Sequence, residues 1–242
     1  MAIQPVIKNM APKKRERLAY TITGLMAVAA LLWGINVYYL PEQRLAKAAA
    51  QKAERTLLKE LRNGDLIFQS SLSGQSKAIQ LATHSKYSHC GMVFQADTGK
   101  REWNVLEAVQ PVQWTPLARW IARGEGSHYV VKRAQVDPPL SEQALMAVKN
   151  AGEQYLERDY DLYFGWGDDR IYCSELIWKA YQQATGLELG QLQQLREFDL
   201  ADPLVAKKLQ ERYGAQLPLD EQVISPARIF ESPLLSTIAS NE

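Results

Sequence analysis

The chain has 242 residues, of which 46% are hydrophobic and 23% are charged, so it can bury an ordinary core in one main domain with an appendage. This composition excludes a disordered, fibrous or repetitive protein. The 28 Lys and Arg side chains nearly balance the 27 Asp and Glu side chains, which gives a formal net charge of +1. A nucleic-acid partner is therefore not expected.

Residues 18–40 form the first predicted element, a run of 23 residues without a charged side chain. As a helix this run would extend over roughly 35 Å, enough to cross the core of a bilayer. Trp33, Tyr38 and Tyr39 lie in its second half, where interfacial aromatic residues belong. We therefore predict a transmembrane anchor. A buried core helix and a cleaved signal peptide are the alternatives, although the run is longer than the apolar core of most signal peptides.

The charges that flank this run predict its orientation. A basic cluster, KKRER, ends at Arg17, whereas the other side carries no Lys or Arg before Arg44. The positive-inside rule predicts that residues 1–17 are a basic cytoplasmic tail. The protein would then be a single-pass protein of a bacterial inner membrane with residues 63–242 in the periplasm. Residues 41–62, rich in Ala, Glu, Lys and Leu, predict a helical juxtamembrane spacer.

Short apolar and β-branched runs follow Gly64 and predict a small antiparallel sheet packed on helices, an α+β fold. The predicted strands are 65–68, 87–95, 102–110 and 128–135, with a hairpin turn at 97–99. The predicted helices are 76–83, a segment from Ser141 as N-cap to Glu157, and a segment from about Cys173 to Gly186. Residues 159–170, dense in aromatic and turn residues, are expected to form a loop wall.

The alternation of side chains along the predicted strands indicates that His89 and Glu107 can lie close enough for their side chains to make contact. His89 shares one face with Gly91 and Val93, whereas Cys90 takes the other face. If odd-numbered residues pair with odd-numbered residues across the hairpin, His89 lies opposite or diagonal to Glu107. A carboxylate beside a histidine orients the ring and stabilises its protonated form. The alternative is a solvated Glu107 and an interior His89 without a catalytic role.

The two cysteines have different predicted surroundings. Cys173 falls in the first turn of its helix, where free backbone amides and the positive end of the helix dipole favour a thiolate. Cys90 lies in mid-strand and is predicted to be a core residue on the face away from His89. The same alternation predicts that the two sulfurs lie on opposite faces and form no disulfide. A metal site made of His84, His89 and a cysteine has no recognised ligand spacing, and no metal is expected.

Four ordered segments resemble one family of enzymes. They are NGDLIFQSSLSGQSKAIQLATHSKYSHCGMVF, VLEAVQPVQWTPLARWIARGE, YDLYFGWGDDRIYCSELIWKAYQ and LREFDLADPLVAKKLQERYG, and they lie within residues 63–235. Together they resemble the YiiX/YebB-like cysteine hydrolases, a circularly permuted branch of the NlpC-type, papain-like superfamily. The resemblance implies a permuted papain-like domain in which the sheet with the histidine precedes the helix with the cysteine.

The resemblance also implies the roles of the site residues. Cys173 in the YCSE motif would be the nucleophile, His89 in the SH-x-G motif the base and acid, and Glu107 in the EA motif the third member. The backbone amide of Cys173 is the predicted oxyanion donor, with Tyr172 as a weaker candidate. The aromatic residues predicted to line a substrate groove are Tyr160, Phe164 and Trp166. No organic cofactor is expected.

Three functions are compatible with these features. The first is a membrane-anchored hydrolase that cleaves amide bonds in peptides or peptidoglycan stems through an acyl-enzyme. The second is lipid acyl hydrolysis or transfer of the lecithin:retinol acyltransferase-like type, which uses the same cysteine thioester. The third is a non-enzymatic binding module, which the intact set of Cys, His and Glu disfavours. The sequence predicts neither the substrate nor the oligomeric state.

Overall fold

The computed structural model of the chain describes residues 20, 21, 24, 56–96, 98 and 102–241. The chain divides into two units, Met1–Thr56 and Leu57–Glu242, and the second contains every element named below. Among the residues described, no helix is long and apolar enough to span a membrane. The predicted tail at 1–17, nearly all of the predicted anchor at 18–40 and most of the spacer predicted at 41–62 lie outside the described residues.

A six-stranded antiparallel sheet forms the centre of the second unit, in the strand order β10-β5-β1-β2-β3-β4. Its strands are β1 (Asp65–Gln69), β2 (His89–Gln95), β3 (Trp103–Glu107), β4 (Gln113–Pro116), β5 (Val130–Ala134) and β10 (Leu235–Ser240). All five residues of β1 and the first six of β2 are buried, so the centre of the sheet is covered on both faces. This explains why the middle of each strand, 66–68 in β1 and 90–94 in β2, carries no polar side chain.

Helices and short strands complete the domain. The helices are α1 (Ser76–Thr83), α2 (Leu117–Ala122), α3 (Glu142–Glu153), α4 (Cys173–Thr185), α5 (Pro203–Tyr213) and α6 (Pro226–Phe230), with 3-10 turns at Glu125–Ser127 and Leu195–Glu197. The short strands β6 (Asp159–Tyr160) and β7 (Arg170–Ile171) pair in parallel, and β8 (Gln193–Gln194) pairs with β9 (Gln222–Val223). The antiparallel sheet packed on helices that the sequence predicts is confirmed.

The predicted helix ends are correct except at α3. Ser141 Oγ accepts a hydrogen bond from the Ala144 amide at 3.1 Å, as an N-cap should. The helix ends at Glu153, however, and the prediction of Glu157 was wrong. The reason is tertiary, since Glu157 has a positive φ of 63° and its amide donates to the Val112 carbonyl at 3.0 Å. That hydrogen bond to the chain before β4 replaces the next helical one.

The two faces of the sheet belong to two separate hydrophobic cores. The face that carries Cys90 and Met92 packs in the larger core, with Ala151 of α3 and Leu176 of α4. The opposite face carries Ile67, Val93 and Val105, which pack against Trp120 of α2. Leu57 and Leu61, which the sequence assigns to the spacer, are buried in this second core. The compact unit therefore begins before residue 63.

Candidate active site

Cys173 is the first residue of α4 and is 2% exposed. Tyr172, between β7 and α4, has an extended backbone, and the Glu175 side chain caps the helix by accepting a hydrogen bond from the Tyr172 amide at 3.3 Å. The carbonyl of Tyr172 accepts the first helical hydrogen bond, from Leu176, at 3.0 Å. The sulfur therefore lies at the end of α4 where free amides and the helix dipole favour negative charge.

His89 and Glu107 are in direct contact, as the strand alternation predicts. Val93 pairs with Val105 and Met92 with Leu106, so odd residues meet odd residues and His89 is diagonal to Glu107. The His89 Nε2 atom lies 2.6 Å from Oε2 of Glu107. This contact uses Nε2 and leaves Nδ1 free of Glu107, and Cys173 is close enough to the ring to raise its pKa. The ring also stacks on Trp120, with centroids 5.8 Å apart.

The charges of the three site residues alternate in sign along the series Cys173, His89 and Glu107. Burial lowers the pKa of His89, but hydrogen bonds to Cys173 and Glu107 and their negative charges raise it from 6.5 to about 9. Burial raises the pKa of Glu107, yet its contacts with His89, Thr115 and Arg123 lower it from 4.5 to about 2. The site thus favours an imidazolium between a thiolate and a carboxylate at neutral pH.

Cys90 lies beside Cys173, and the prediction that the two sulfurs occupy opposite faces was wrong. Both cysteines are buried in the same core, and both are free thiols. A hydrogen bond from the Cys90 thiol is the largest influence on the pKa of Cys173, and with His89 it lowers that pKa well below 9.0 against the effect of burial. Burial and the adjacent Cys173 raise the pKa of Cys90 well above 9.0. Cys90 therefore remains a thiol that donates to a thiolate.

The physical reason for this error is the position of His89 in its strand. Helix α4 packs on the face of β2 that carries Cys90, not on the face that carries Gly91 and Val93. His89 is the first residue of β2 and lies at the end of the sheet. Its ring can therefore contact Trp120 on one face and Cys173 from the other. Alternation identifies the residues that share a face, but it does not predict which face a helix covers.

Two cavities meet at the reactive residues. A narrow cleft of about 90 Å³ contains Cys173, Tyr160 and Phe164 and is walled by apolar side chains of α1 and α5, among them Ala78, Ile79, Val205 and Leu209. A larger open groove of about 740 Å³ contains His89 and Arg123. Its walls include the polar residues Ser71, Ser73, Ser88 and Gln110 together with the apolar residues Leu72, Val109 and Leu162. Gln75 and Tyr160 line both. The nucleophile thus faces an apolar cleft, whereas the histidine faces a polar groove.

The predicted groove residues divide between these cavities and the core. Tyr160 lines the same cleft as Cys173 and lies close enough for the two side chains to influence each other's charge. Phe164 lines the apolar cleft and packs edge-on against Tyr172, with centroids 5.2 Å apart. Trp166 instead packs against Trp178 at 5.3 Å and is not among the residues that line either cavity in the described part of the chain. The Tyr172 hydroxyl accepts the Ile224 amide at 3.1 Å.

Sequence reasoning missed two residues that hold Glu107. Thr115 Oγ1 donates to Oε1 of Glu107 at 2.6 Å, and Nη2 of Arg123 lies 2.6 Å from both carboxylate oxygens. Thr115 could have been found by extending the hairpin, because β3 pairs with β4 and Thr115 shares the face of Glu107. Arg123 follows a short helix and has no signal of its own in the sequence.

Comparison with known proteins identifies the family. Residues 60–239 match the sequence model of a family described as permuted papain-like amidase enzymes, the YaeF/YiiX, C92 family. The chain belongs to this family. It is therefore a papain-like cysteine hydrolase of the amidase type, with the circularly permuted fold that the resemblance implies.

Relatives in Escherichia coli support the assignment. The chain is 51% identical over 176 residues to protein YiiX of E. coli K12. These aligned residues make up 73% of this chain and 85% of that protein. A crystal structure described as that of the metalloprotein YiiX from E. coli O157:H7 superposes with a TM-score of 0.71 at 49% identity. That alignment covers 75% of this chain and 98% of the other.

Proposed function

We propose that this family member cleaves an amide bond through a covalent acyl-enzyme on Cys173, with His89 as acid and base and Glu107 as the residue that orients His89. The observation that carries the proposal is the buried Glu107–His89 contact at 2.6 Å, with the imidazole joined to a cysteine whose pKa is lowered. Such a pair supplies a nucleophile and a proton donor at neutral pH.

The reaction proceeds in two halves. The Cys173 thiolate attacks the carbonyl carbon, which forms a C–S bond and places negative charge on the carbonyl oxygen. Collapse of this intermediate breaks the C–N bond, and His89 gives its proton to the departing amine. A water molecule then gives a proton to His89 and attacks the thioester, and cleavage of the C–S bond releases the acid and regenerates the thiolate.

Donors for the carbonyl oxygen are available beside the sulfur. We propose the backbone amide of Cys173, which is a free N–H of the first turn of α4. Tyr160, which lines the cleft beside Cys173, is a better placed side-chain candidate than Tyr172, whose hydroxyl accepts a hydrogen bond from the Ile224 amide. A Tyr160→Phe variant is expected to lower kcat more than a Tyr172→Phe variant does.

Peptides and peptidoglycan stems are the substrates that an amidase family implies, and we propose them as the first class to test. The experiment incubates the wild type and Cys173→Ala with peptide and peptidoglycan fragments and records products and protein mass. A product and an acyl adduct on Cys173 are expected only with the wild type. Product formation by Cys173→Ala at the wild-type rate would contradict the mechanism.

The apolar cleft favours a second candidate, an acyl-lipid substrate whose chain lies against Cys173. The walls formed by Ala78, Val205 and Leu209 offer an acyl chain an apolar surface, while the polar groove beside His89 suits a polar leaving group. Leu209→Trp, which narrows the cleft, is expected to abolish turnover of long-chain acyl amides and esters and to spare short ones. Met146→Trp, at an exposed position on α3, is the control. Equal loss for short and long chains would contradict this placement.

The description of the E. coli relative as a metalloprotein raises the question of a metal in this chain. No group of three His, Cys, Asp or Glu side chains that could hold a metal ion occurs in the described residues. Both oxygens of Glu107 already accept from Arg123, whose positive charge opposes a metal ion at that position. The donor set does not fit a metal site, and no step of the proposed reaction uses one.

We also propose that residues 18–40 anchor the enzyme in the inner membrane with its catalytic domain in the periplasm. The uncharged run and the basic cluster before it support this proposal. The full chain is expected to stay with membranes after carbonate extraction, whereas a chain that lacks residues 1–55 is expected to be released. Protease added to spheroplasts should digest the domain. Release of the full chain by carbonate would overturn the proposal.

A further inference from the structure

Glu107 has an unusually complete set of donors for a buried carboxylate. Its side chain is fully buried, and each oxygen accepts two hydrogen bonds. Oε1 accepts from Thr115 and Arg123, and Oε2 accepts from Arg123 and His89, all at 2.6 Å. A carboxylate offers about four lone-pair positions, so this one has no capacity left. It is fixed in a single orientation, the one in which Oε2 faces the imidazole.

The backbone on both sides of Arg123 is held in place. Its amide donates to the Trp120 carbonyl at 3.2 Å, which closes the end of α2. Gly124, the next residue, forms a β-bridge with Ser71, and the Glu125 amide donates to the Ser70 carbonyl at 2.9 Å. A Cβ atom on Gly124 would lie 2.3 Å from Oε1 of Gln69, so a larger residue would require the Gln69 side chain to move. The chain that carries Arg123 is thus fixed against the end of β1.

Helix α2 therefore contacts both members of the His89–Glu107 pair. Trp120, in its last turn, stacks on the imidazole, and Arg123, three residues later, binds the carboxylate. Arg123 is the residue that follows α2 and keeps a helical backbone, with φ −83° and ψ −17°, and residues three apart lie on the same side of a helix. This explains how the end of one short helix serves both contacts. Arg123 also lines the polar groove, and its side chain is 37% exposed, whereas Glu107 is fully buried.

Removal of one partner from a buried ion pair leaves an uncompensated charge, which a carboxylate relieves by taking up a proton. A protonated Glu107 could no longer stabilise the imidazolium. Three titratable groups face this carboxylate or its partner: His89, which contacts it, Cys173, which contacts the imidazole, and the Cys90 thiol, which feels the charge of Glu107. Arg123 is the fixed positive charge among them.

We propose that Arg123 is a positioning residue that keeps Glu107 ionised and oriented towards His89, and that it acts through Glu107 without contact with the reacting atoms. This inference rests on the proposed role of Glu107 in the reaction. The bidentate contact from one nitrogen to both carboxylate oxygens carries it. In the wild type the pKa of Glu107 is lowered to about 2 by His89 and Thr115, with a further contribution from the charge of Arg123.

The test follows the imidazole nitrogens of His89 by NMR across pH in the full chain with ¹⁵N-labelled histidine. The chain has three histidines, so the signals are few. In Arg123→Met, Glu107 should take up its proton near or above its ordinary pKa, which adds an inflection to the His89 titration at about pH 4 to 5. The wild type should show none above about pH 3. Arg123→Lys keeps a positive charge at this position, so the inflection should move back to a pH below about 4.

Two further variants keep the proposal falsifiable. Arg123→Gln retains N–H donors without charge and is expected to show the inflection if Arg123→Met does not fold. Arg133→Met is the matched control. Nε of Arg133 lies 2.6 Å from Oδ1 of the fully buried Asp65, so this arginine also binds a buried carboxylate, but it does so outside the site. This control should lower the melting temperature and leave the His89 titration unchanged.

The outcomes separate this proposal from the proposed reaction. A folded Arg123 variant without charge that titrates like the wild type overturns the positioning role, and so does the same inflection in Arg133→Met. Neither result depends on a substrate. The proposed reaction fails instead if Cys173→Ala still forms product, whatever the NMR titration shows.

Discussion

Replacement of Glu107 by Gln is the most informative single change in the site, because it removes one charge and keeps the shape of the side chain. In the wild type, contacts with Cys173 and Glu107 outweigh burial and raise the pKa of His89 from 6.5 to about 9. This shift corresponds to about 3 kcal/mol in favour of the imidazolium. If Glu107 supplies about half of it, the pKa of His89 in Glu107→Gln falls by about one to two units. The uncompensated positive charge of Arg123 acts in the same direction.

Glu175→Gln provides a matched control for this prediction. Both glutamates are fully buried and lie close to Cys173 or its partner. Burial raises the pKa of Glu175 to about 8, despite Lys179 at 2.8 Å, so this side chain is mostly neutral at pH 7. His89 titrates near pH 9, where Glu175 is largely ionised, but the groups that raise the pKa of His89 are Cys173 and Glu107 and not Glu175. An amide at position 175 should therefore move the pKa of His89 by only a few tenths of a unit.

The assay is the ¹⁵N titration of His89 between about pH 5 and 10, a range that brackets the ordinary and the raised pKa. We expect the pKa of His89 to be nearly the same in the wild type and in Glu175→Gln, and to be clearly lower in Glu107→Gln. Circular dichroism at each end of the titration shows that the variants remain folded. A Glu107→Gln variant with the wild-type pKa, or equal shifts in both variants, would refute the claim that the Glu107 charge holds the imidazolium.

Three further predictions concern neighbouring residues. Cys90→Ala removes the thiol that lowers the pKa of Cys173, so that pKa should rise and alkylation of Cys173 by iodoacetamide at about pH 6 should slow by about tenfold. Alkylation of Cys173 at the wild-type rate would contradict this role of Cys90. Gly91→Ala places a Cβ 2.4 Å from Cγ1 of Val105 and 3.0 Å from the Leu106 carbonyl oxygen, and should destabilise the domain by about 1 to 3 kcal/mol in urea unfolding. Its control, Gly74→Ala, has open space around the new atom and should change stability by less than about 0.5 kcal/mol. The pKa of Glu175 is 4.5 in the unfolded chain and about 8 in the folded chain. Between these two pH values the folded chain retains a proton that the unfolded chain releases. The contribution of Glu175 to stability is therefore complete below pH 4.5 and is lost as the pH rises to 8. Glu175→Gln should therefore gain stability relative to the wild type across that interval, and a constant difference would count against a neutral Glu175.

Local periodicity predicted much of the fold. Helix α1 occupies the predicted residues 76–83, because its apolar residues recur at helical spacing. The predicted contact between His89 and Glu107 is present, because strand alternation and a short turn leave few registers for a hairpin. Strand β10 lies beside β5, about a hundred residues earlier in the chain, and no local pattern predicts such a partner.

The parts of the site that escaped prediction depend on tertiary packing. The position of Cys90 depends on which face of the sheet α4 covers, and that choice is made by the fit of whole side-chain layers. The contact of Arg123 with Glu107 depends on the path of the chain after α2 and on the close approach of Gly124 to Gln69. Single-residue patterns carry information about periodicity and caps, and these contacts involve neither.

The arrangement of charges explains why these less predictable contacts matter to the chemistry. A thiolate, an imidazolium, a carboxylate and a guanidinium alternate in sign from Cys173 through His89 and Glu107 to Arg123. Each inner charge has an opposite charge on both sides, which offsets the cost of burying it. The outermost guanidinium lines the groove and is partly exposed, so one end of the series is in contact with solvent. The other end is the buried sulfur, where a Cys90 thiol and the dipole of α4 support the charge until a carbonyl carbon accepts it.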